Sequence, residues 1–403
     1  MDPMRIVLPI PYAQPIFISC LRHSAYRKEF KLCQYIKKQP ITVLKQRLQR
    51  RYKVNQRCNC CGESPLHVAV RLNSVELLNL LAINKARFNG INKRGETPLH
   101  VACEINNENM AARLLDLRSS PYRANNNGET CMEVCLRKGH IEVAETILRK
   151  TKADLTFRDP EDYLLMATRA GSKDFVELFL NFKANIDGVD PKGNSAISLA
   201  VELGYEDVLD CLLKRGADIR RTYTSEKNTL LHIACQQGRQ DIVWKLLLAG
   251  VQVYRLNTKL ETPLHLAVKH SSLYIIKMLL MFGSNLEARD FLELTPLHHA
   301  IIRNKIVTAR YLLSHAASTK AVVRPLIKAM EKKYFEMVKL IVCSSIDHLQ
   351  QKDALGRTIF DAAVKYGNAD IIHFLNKVAT EAGIIILISS ASITTRDING
   401  GIL

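Results

Sequence analysis

Five histidines of this chain stand in one repeated setting. His67, His100, His232, His265 and His298 each lie three residues after a Ser or Thr and two before an Ala, as in Thr97-Pro98-Leu99-His100-Val101-Ala102. Imidazole can ligate a metal or act as a general base near neutral pH. Either role needs convergence: zinc takes three or four protein ligands at bond length, and a base needs its substrate within hydrogen-bond reach. Cysteine is the other candidate. Cys58 and Cys61 form one C-x-x-C pair, to which Cys33 or His67 could add ligands, but no second pair at zinc-finger spacing follows. Cys131 and Cys135, four apart on a predicted helix, read as small core residues, and His298-His299 as a repeat histidine with a neighbour. The chain holds no G-x-x-x-x-G-K-[ST], H-E-x-x-H or G-x-S-x-G.

The spacing of the histidines decides between chemistry and architecture. Counted on the Ser/Thr, clear starts fall at Ser64, Thr97, Thr130, Ser195, Thr229, Thr262, Thr295 and Thr358, with weaker copies at Asp162 and Arg324. The steps are 33, 33, 32, 33, 34, 33, 33, 29 and 34 residues, which marks a repeat architecture. A side chain present once per unit forms a row and does not converge on a pocket. Its structural role is that of a neutral imidazole bridging backbone or hydroxyl groups of adjacent turns. Where the position holds Glu133, Leu165, Ser198, Ile327 or Asp361, stacking is expected to be weaker or altered.

Local signals define the elements. Ser or Thr caps a helix, Pro fits its first position, and an Ala five residues on lets neighbouring helices approach. Apolar sets such as Val208, Leu209, Leu212 and Leu213, or Ile242, Val243, Leu246 and Leu247, line one face of a second helix. Gly204 and Gly238 separate the helices, and Gly216, Gly250 and Gly283 end the second. Each unit is predicted as helix, tight turn, helix and outward loop. The 29-residue step from Thr295 to Arg324 predicts a shortened or absent finger at 314–323.

These residues resemble the ankyrin repeat: T-P-L-H-x-A, the glycine between helices, V-x-x-L-L, and the endings Gly216-Ala217-Asp218 and Gly283-Ser284-Asn285. Ten copies cover about residues 63–377. The resemblance implies an all-α solenoid, a curved stack of helix pairs with β-hairpin-like fingers on one edge, and a role in binding other proteins. The expected organisation is a basic arm at 1–62, repeats at 63–377 and a tail at 378–403.

Charge and cysteine usage bound the class further. The formal net charge is +18, and residues 1–62 hold thirteen Lys and Arg against Asp2 and Glu29, so the excess is mostly N-terminal. After Pro40, Leu44, Leu48 and Tyr52 recur every four residues among Lys45, Arg47, Arg50, Arg51 and Lys53, which predicts a basic amphipathic helix. It suits nuclear import, nucleic acid or an anionic membrane surface, or a polar cap over the first repeat. Eleven cysteines, with Cys103, Cys211, Cys235 and Cys343 inside apolar helical patterns, fit buried free thiols in a reducing compartment. Pro9, Pro11 and Pro15 break the first apolar run, and Ile384–Ile388 is too short to span a bilayer. A cytoplasmic or nuclear protein is expected, with no transmembrane segment.

No catalytic residue, metal or cofactor is expected, and the chain reads as a non-catalytic scaffold or adaptor for a protein partner. Contacts are expected from the finger residues Lys93, Arg94, Arg123, Arg220, Arg221, Tyr223, Arg255, Arg289 and Phe291, since Arg and aromatic side chains dominate interface hot spots. Asp159, Glu161, Asp187, Asp190 and Glu293 share that edge and leave it mixed in sign. The alternatives are a substrate receptor of a ubiquitin ligase, although nothing resembles a SOCS box, F-box or BTB domain, and nucleic-acid or anionic-surface binding by the arm. Salt dependence separates the last from a protein partner.

Overall fold

The computed structural model describes residues 54–58, 61–151, 160–270, 272–315, 317–318, 322–353, 355–367 and 369–383. The basic amphipathic helix expected after Pro40 lies outside them. The chain forms two compact units that divide between Asn185 and Ile186.

The first unit consists of helix pairs: α1 (Pro65–Arg71) with α2 (Val75–Ile83), α3 (Pro98–Glu104) with α4 (Glu108–Asp116), α5 (Cys131–Lys138) with α6 (Ile141–Lys150), and α7 (Pro160–Arg169) with α8 (Lys173–Asn181). The leading helices α1, α3 and α5 stack in one row, and α4, α6 and α8 in another. The second unit repeats the plan with α9 (Ala196–Leu203) and α10 (Glu206–Lys214), α11 (Leu230–Gln237) and α12 (Gln240–Leu248), α13 (Pro263–His270) and α14 (Leu273–Met281). It continues with α15 (Pro296–Ile302) and α16 (Ile306–Ser314), α17 (Val323–Glu331) and α18 (Phe335–Ser344), and α19 (Ile359–Tyr366) and α20 (Ala369–Glu381). Its leading helices form an unbroken row from α9 to α19. The last helix thus runs four residues past the expected repeat boundary at 377.

Helices of seven to thirteen residues are marginal alone, so packing must hold them. Leu66, Val68, Ala69, Leu99, Ala102, Leu231 and Ala234 are fully or almost fully buried, and the small Ala brings adjacent leading helices together. Gly139, Gly204 and Gly238 close α5, α9 and α11 in the left-handed conformation. Two weak copies start earlier than expected. α7 begins at Pro160, so Asp162 lies inside the helix and is not its cap. α17 begins at Val323 after Val322, which offers no side-chain cap, so Arg324 falls in the first turn. Without a Ser/Thr to fix the start, packing sets it. Eight residues (315–322) therefore separate α16 from α17, where fourteen (282–295) separate α14 from α15, and that finger is short as expected.

Most fingers are loops closed by one side chain. Asn92 Oδ1 accepts from Arg94 N at 2.8 Å and Glu96 N at 3.0 Å, and Asn125, Asp190, Asn257, Asp290 and Asp353 do the same two and four residues onward. Only the finger between α10 and α11 contains paired strands among the described residues: β1 (Thr222–Tyr223) lies antiparallel to β2 (Asn228–Thr229). It belongs to the 34-residue step from Ser195 to Thr229. The turn demands a left-handed residue three after the Asn or Asp. Gly95 supplies it at φ 73°, and a Cβ there would stand 2.7 Å from Asn126 N in the next finger. Leu260 holds the same position at φ 54°, where a side chain costs roughly 1–2 kcal/mol. Leu260→Gly should therefore raise stability by about 1 kcal/mol in urea denaturation, less the entropy glycine adds to the unfolded chain.

Candidate functional site

The histidine row is a set of structural bridges. Thr97 N donates to His100 Nδ1 at 3.2 Å and the Thr97 hydroxyl lies 2.8 Å from the same nitrogen, while His100 Nε2 reaches Glu129 O of the following repeat at 3.1 Å. An Nδ1 that accepts a backbone N–H is unprotonated, so Nε2 carries the hydrogen and donates to the carbonyl. His67 joins Ser64 to Glu96 O, His232 joins Thr229 to Glu261 O, and His265 joins Thr262 to Leu294 O in the same way, with Nε2–O distances of 2.9, 2.9 and 3.1 Å. Burial holds all four imidazoles below the ordinary value near 6.5. His298 Nδ1 accepts from Thr295 N at 3.2 Å.

Three of the five replacements keep the capping half of the bridge. Glu133, Ser198 and Asp361 each accept from the backbone N–H of their own cap residue, at 2.5, 2.9 and 2.7 Å, and so complete the capping box of their helix. His299, beside the row, sits 2.7 Å from Asp290 Oδ2.

The cysteines divide by position. Cys103, Cys131, Cys135, Cys211 and Cys235 are buried, and burial pushes the Cys103 thiol up, with the hydrogen bond to Cys131 adding to the shift and that to Cys135 opposing it. Cys343 is exposed on α18, contrary to its reading as a core thiol, because it falls just past the face of that helix that buries Met337, Val338 and Ile341. Among the described residues no three His, Cys, Asp or Glu side chains are grouped to hold a metal, and no helix is long and apolar enough to cross a membrane.

The fingers are tied tip to tip by main-chain bonds. Lys93 N donates to Cys61 O at 3.0 Å and Asn126 N to Arg94 O at 2.9 Å in the first unit; Thr258 N donates to Glu226 O at 2.8 Å and Phe291 N to Lys259 O at 2.9 Å in the second. Lys93, Arg94, Arg123, Arg220, Arg255, Arg289 and Phe291 are exposed on these loops. Three expected contacts carry structural work. Arg221 Nη1 donates to Asp187 O at 2.7 Å and Arg123 Nη1 to Asn89 O at 3.4 Å, each one finger back. Tyr223 is only 2% exposed, its hydroxyl donating to Asp218 O at 3.3 Å, so it builds the hairpin and offers a partner no surface.

Phe291, an expected contact, is 74% exposed, but its apolar companions escaped the sequence reading: Leu292 is 57% exposed, and Tyr254, Leu256, Leu260 and Leu355 are exposed nearby in sequence or in equivalent positions. The signal was present: Leu292 and Leu355 stand two residues after the loop-closing Asp, where Arg94 stands after Asn92. A second exposed apolar group lies on trailing helices, with Trp244 meeting Phe282 edge-on at 5.9 Å beside Leu248 and Met281.

Comparison with known proteins gives a match to the family described as ankyrin repeats (3 copies) over residues 66–159, 153–223 and 220–290. The chain is 35% identical over 104 residues to protein phosphatase 1 regulatory subunit 27 of Mus musculus, covering 25% of this chain and 67% of that protein. It is 30% identical over 106 residues to the E3 ubiquitin-protein ligase KEG of Arabidopsis thaliana, covering 26% of this chain and only 6% of the ligase.

Proposed function

From the fact that this chain belongs to the ankyrin-repeat family, whose repeats serve protein–protein interaction, we propose that it is a non-catalytic adaptor that grips a protein partner along its finger edge. The observation that carries the reading is the tip geometry of the second unit. Phe291 and Leu292 project from a loop fixed by Asp290 and by the bond from Phe291 N to Lys259 O, so large apolar groups are held out with little freedom left to lose. Preorganised apolar anchors bind more tightly than mobile ones because less conformational entropy is lost on association. Arg255 and Arg289 flank them and supply charge and specificity.

The repeat histidines are committed to structural bonds through both ring nitrogens at His67, His100, His232 and His265, which supports a protein without turnover. The ligase similarity spans 6% of that enzyme and brings none of its activity to this chain.

The test begins with affinity capture by the full chain and by residues 63–377, followed by binding measurements on the partner obtained. Phe291→Ala with Leu292→Ala should weaken binding by about tenfold or more, the effect of losing roughly 1.4 kcal/mol at an apolar anchor, with an unchanged melting temperature. Full affinity in the double variant would refute the finger-edge reading.

A further inference from the structure

We infer that Cys58 and Cys61 form a thiol pair that a hydroperoxide converts to a disulfide, closing the first finger covalently. Six later fingers are closed by an Asn or Asp oxygen that accepts two backbone N–H groups, as Asn92 does. In the first finger Cys58 occupies that place: Cys58 N donates to Glu63 O at 2.8 Å as Asn92 N donates to Glu96 O at 2.9 Å, with one extra residue in the loop. A cysteine therefore stands in the chain where the bridging Asn or Asp stands elsewhere, and its neighbour is the Cys61 thiol, within hydrogen-bond reach.

The loop brings the pair together without external help. Gly62 N donates to Cys58 O at 2.7 Å, folding the segment back on itself, and residues three apart in such a turn have Cα atoms within about 7 Å, overlapping the disulfide range. Both ends are anchored. Asn55 accepts from Arg87 N at 2.7 Å, and Cys61 O accepts from Lys93 N at 3.0 Å. Both thiols are half-buried, so a small oxidant reaches them, whereas Cys103, Cys131 and Cys135 are buried.

The chemistry balances with one hydroperoxide. Cys58 attacks as thiolate, with the Cys61 thiol within hydrogen-bond reach of it. Its sulfur takes the terminal peroxide oxygen, the O–O bond breaks, and the departing alkoxide or hydroxide picks up a proton, leaving a sulfenic acid on Cys58. The Cys61 sulfur then attacks that sulfur, the S–O bond breaks, and hydroxide leaves as water with the Cys61 proton. Two thiols are oxidised, and one peroxide is reduced to alcohol, or water, plus water. The inference stands independently of the partner, but its site abuts Lys93 on the finger edge.

Full-length protein treated with hydrogen peroxide, alkylated and digested without reductant should yield a peptide containing Cys58 and Cys61 that is lighter by two hydrogens. The cross-link should persist in Cys60→Ser and vanish in Cys58→Ser and Cys61→Ser. In Cys61→Ser a sulfenic acid should accumulate on Cys58 and be trapped by a dione reagent. Exposed Cys343 serves as the control for oxidant access. Loss of the cross-link in Cys60→Ser, or oxidation of Cys343 while Cys58 and Cys61 remain thiols, overturns the inference.

Discussion

His100→Ala should destabilise the protein by about 3 kcal/mol while leaving partner binding intact wherever the chain remains folded. The substitution removes a side chain that joins two repeats. It strips Thr97 N of its acceptor and Glu129 O of its donor, and His100 itself is 1% exposed. Each buried backbone group left unpaired costs roughly 1–3 kcal/mol. Glu133→Ala supplies the contrast, because Glu133 stands at the histidine position and accepts from Thr130 N, the cap residue of its own helix. It should cost about 1 kcal/mol, as other lost caps do. Urea denaturation of the two variants compares the bridge with the cap. Equal losses would show that the cross-repeat bond contributes nothing, and a loss of measurable turnover with unchanged melting would refute the structural reading of the row.

Stability should fall steeply as the pH drops from about 6.5 toward 4.5. Burial, with Lys269 and His265 adding repulsion, holds His299 down to about 4 against the opposing pull of the Asp290 carboxylate. Its ordinary value is near 6.5. Above that pH neither folded nor unfolded chain carries a proton there. Below it the unfolded chain binds the proton first, so stability is lost as the pH falls through the gap. A shift of this size corresponds to about 3 kcal/mol, and His67, His100, His232 and His265 shift in the same direction. Asp290 and Glu261 are held below the usual carboxylate range, so their stabilisation is present above their ordinary values of 3.8 and 4.5 and is lost as the pH falls below them. The window between 6.5 and 4.5 therefore isolates the histidines. Urea midpoints measured across it should decline, and His299→Gln should flatten the decline. A flat profile in the unmodified protein would rule out a row of buried neutral imidazoles.

The residues that built the correct picture from sequence act locally. Thr97 before Pro98 fixes a helix start, Gly204 and Gly238 fix ends, and apolar residues at spacings of one, three and four fix the buried faces. These signals depend on three or four neighbouring positions, so a single chain displays them. Where the local signal was missing, at Asp162 and Arg324, the helix start moved to Pro160 and Val323. The candidate surface was half legible. Lys93, Arg94, Arg255 and Phe291 are exposed where the finger register put them, but Tyr223 is buried and Arg221 bonds the preceding finger. Residue type marks an interface candidate, and only packing shows whether the side chain has already been used.

By itself, then, the sequence determined the repeat, its period, the helix pairs and the structural role of the histidine row, because each follows from short-range spacing multiplied along the chain. Tertiary structure alone decided that His100 Nε2 meets Glu129 O, that Lys93 N meets Cys61 O, that Cys343 faces outward, and that Phe291 and Leu292 stand clear at a finger tip. The two bonds join residues 29 and 32 apart in sequence, and the two exposures depend on which neighbours occupy the surrounding space. Both are set by how one repeat lies on the next, which no window within a single repeat contains.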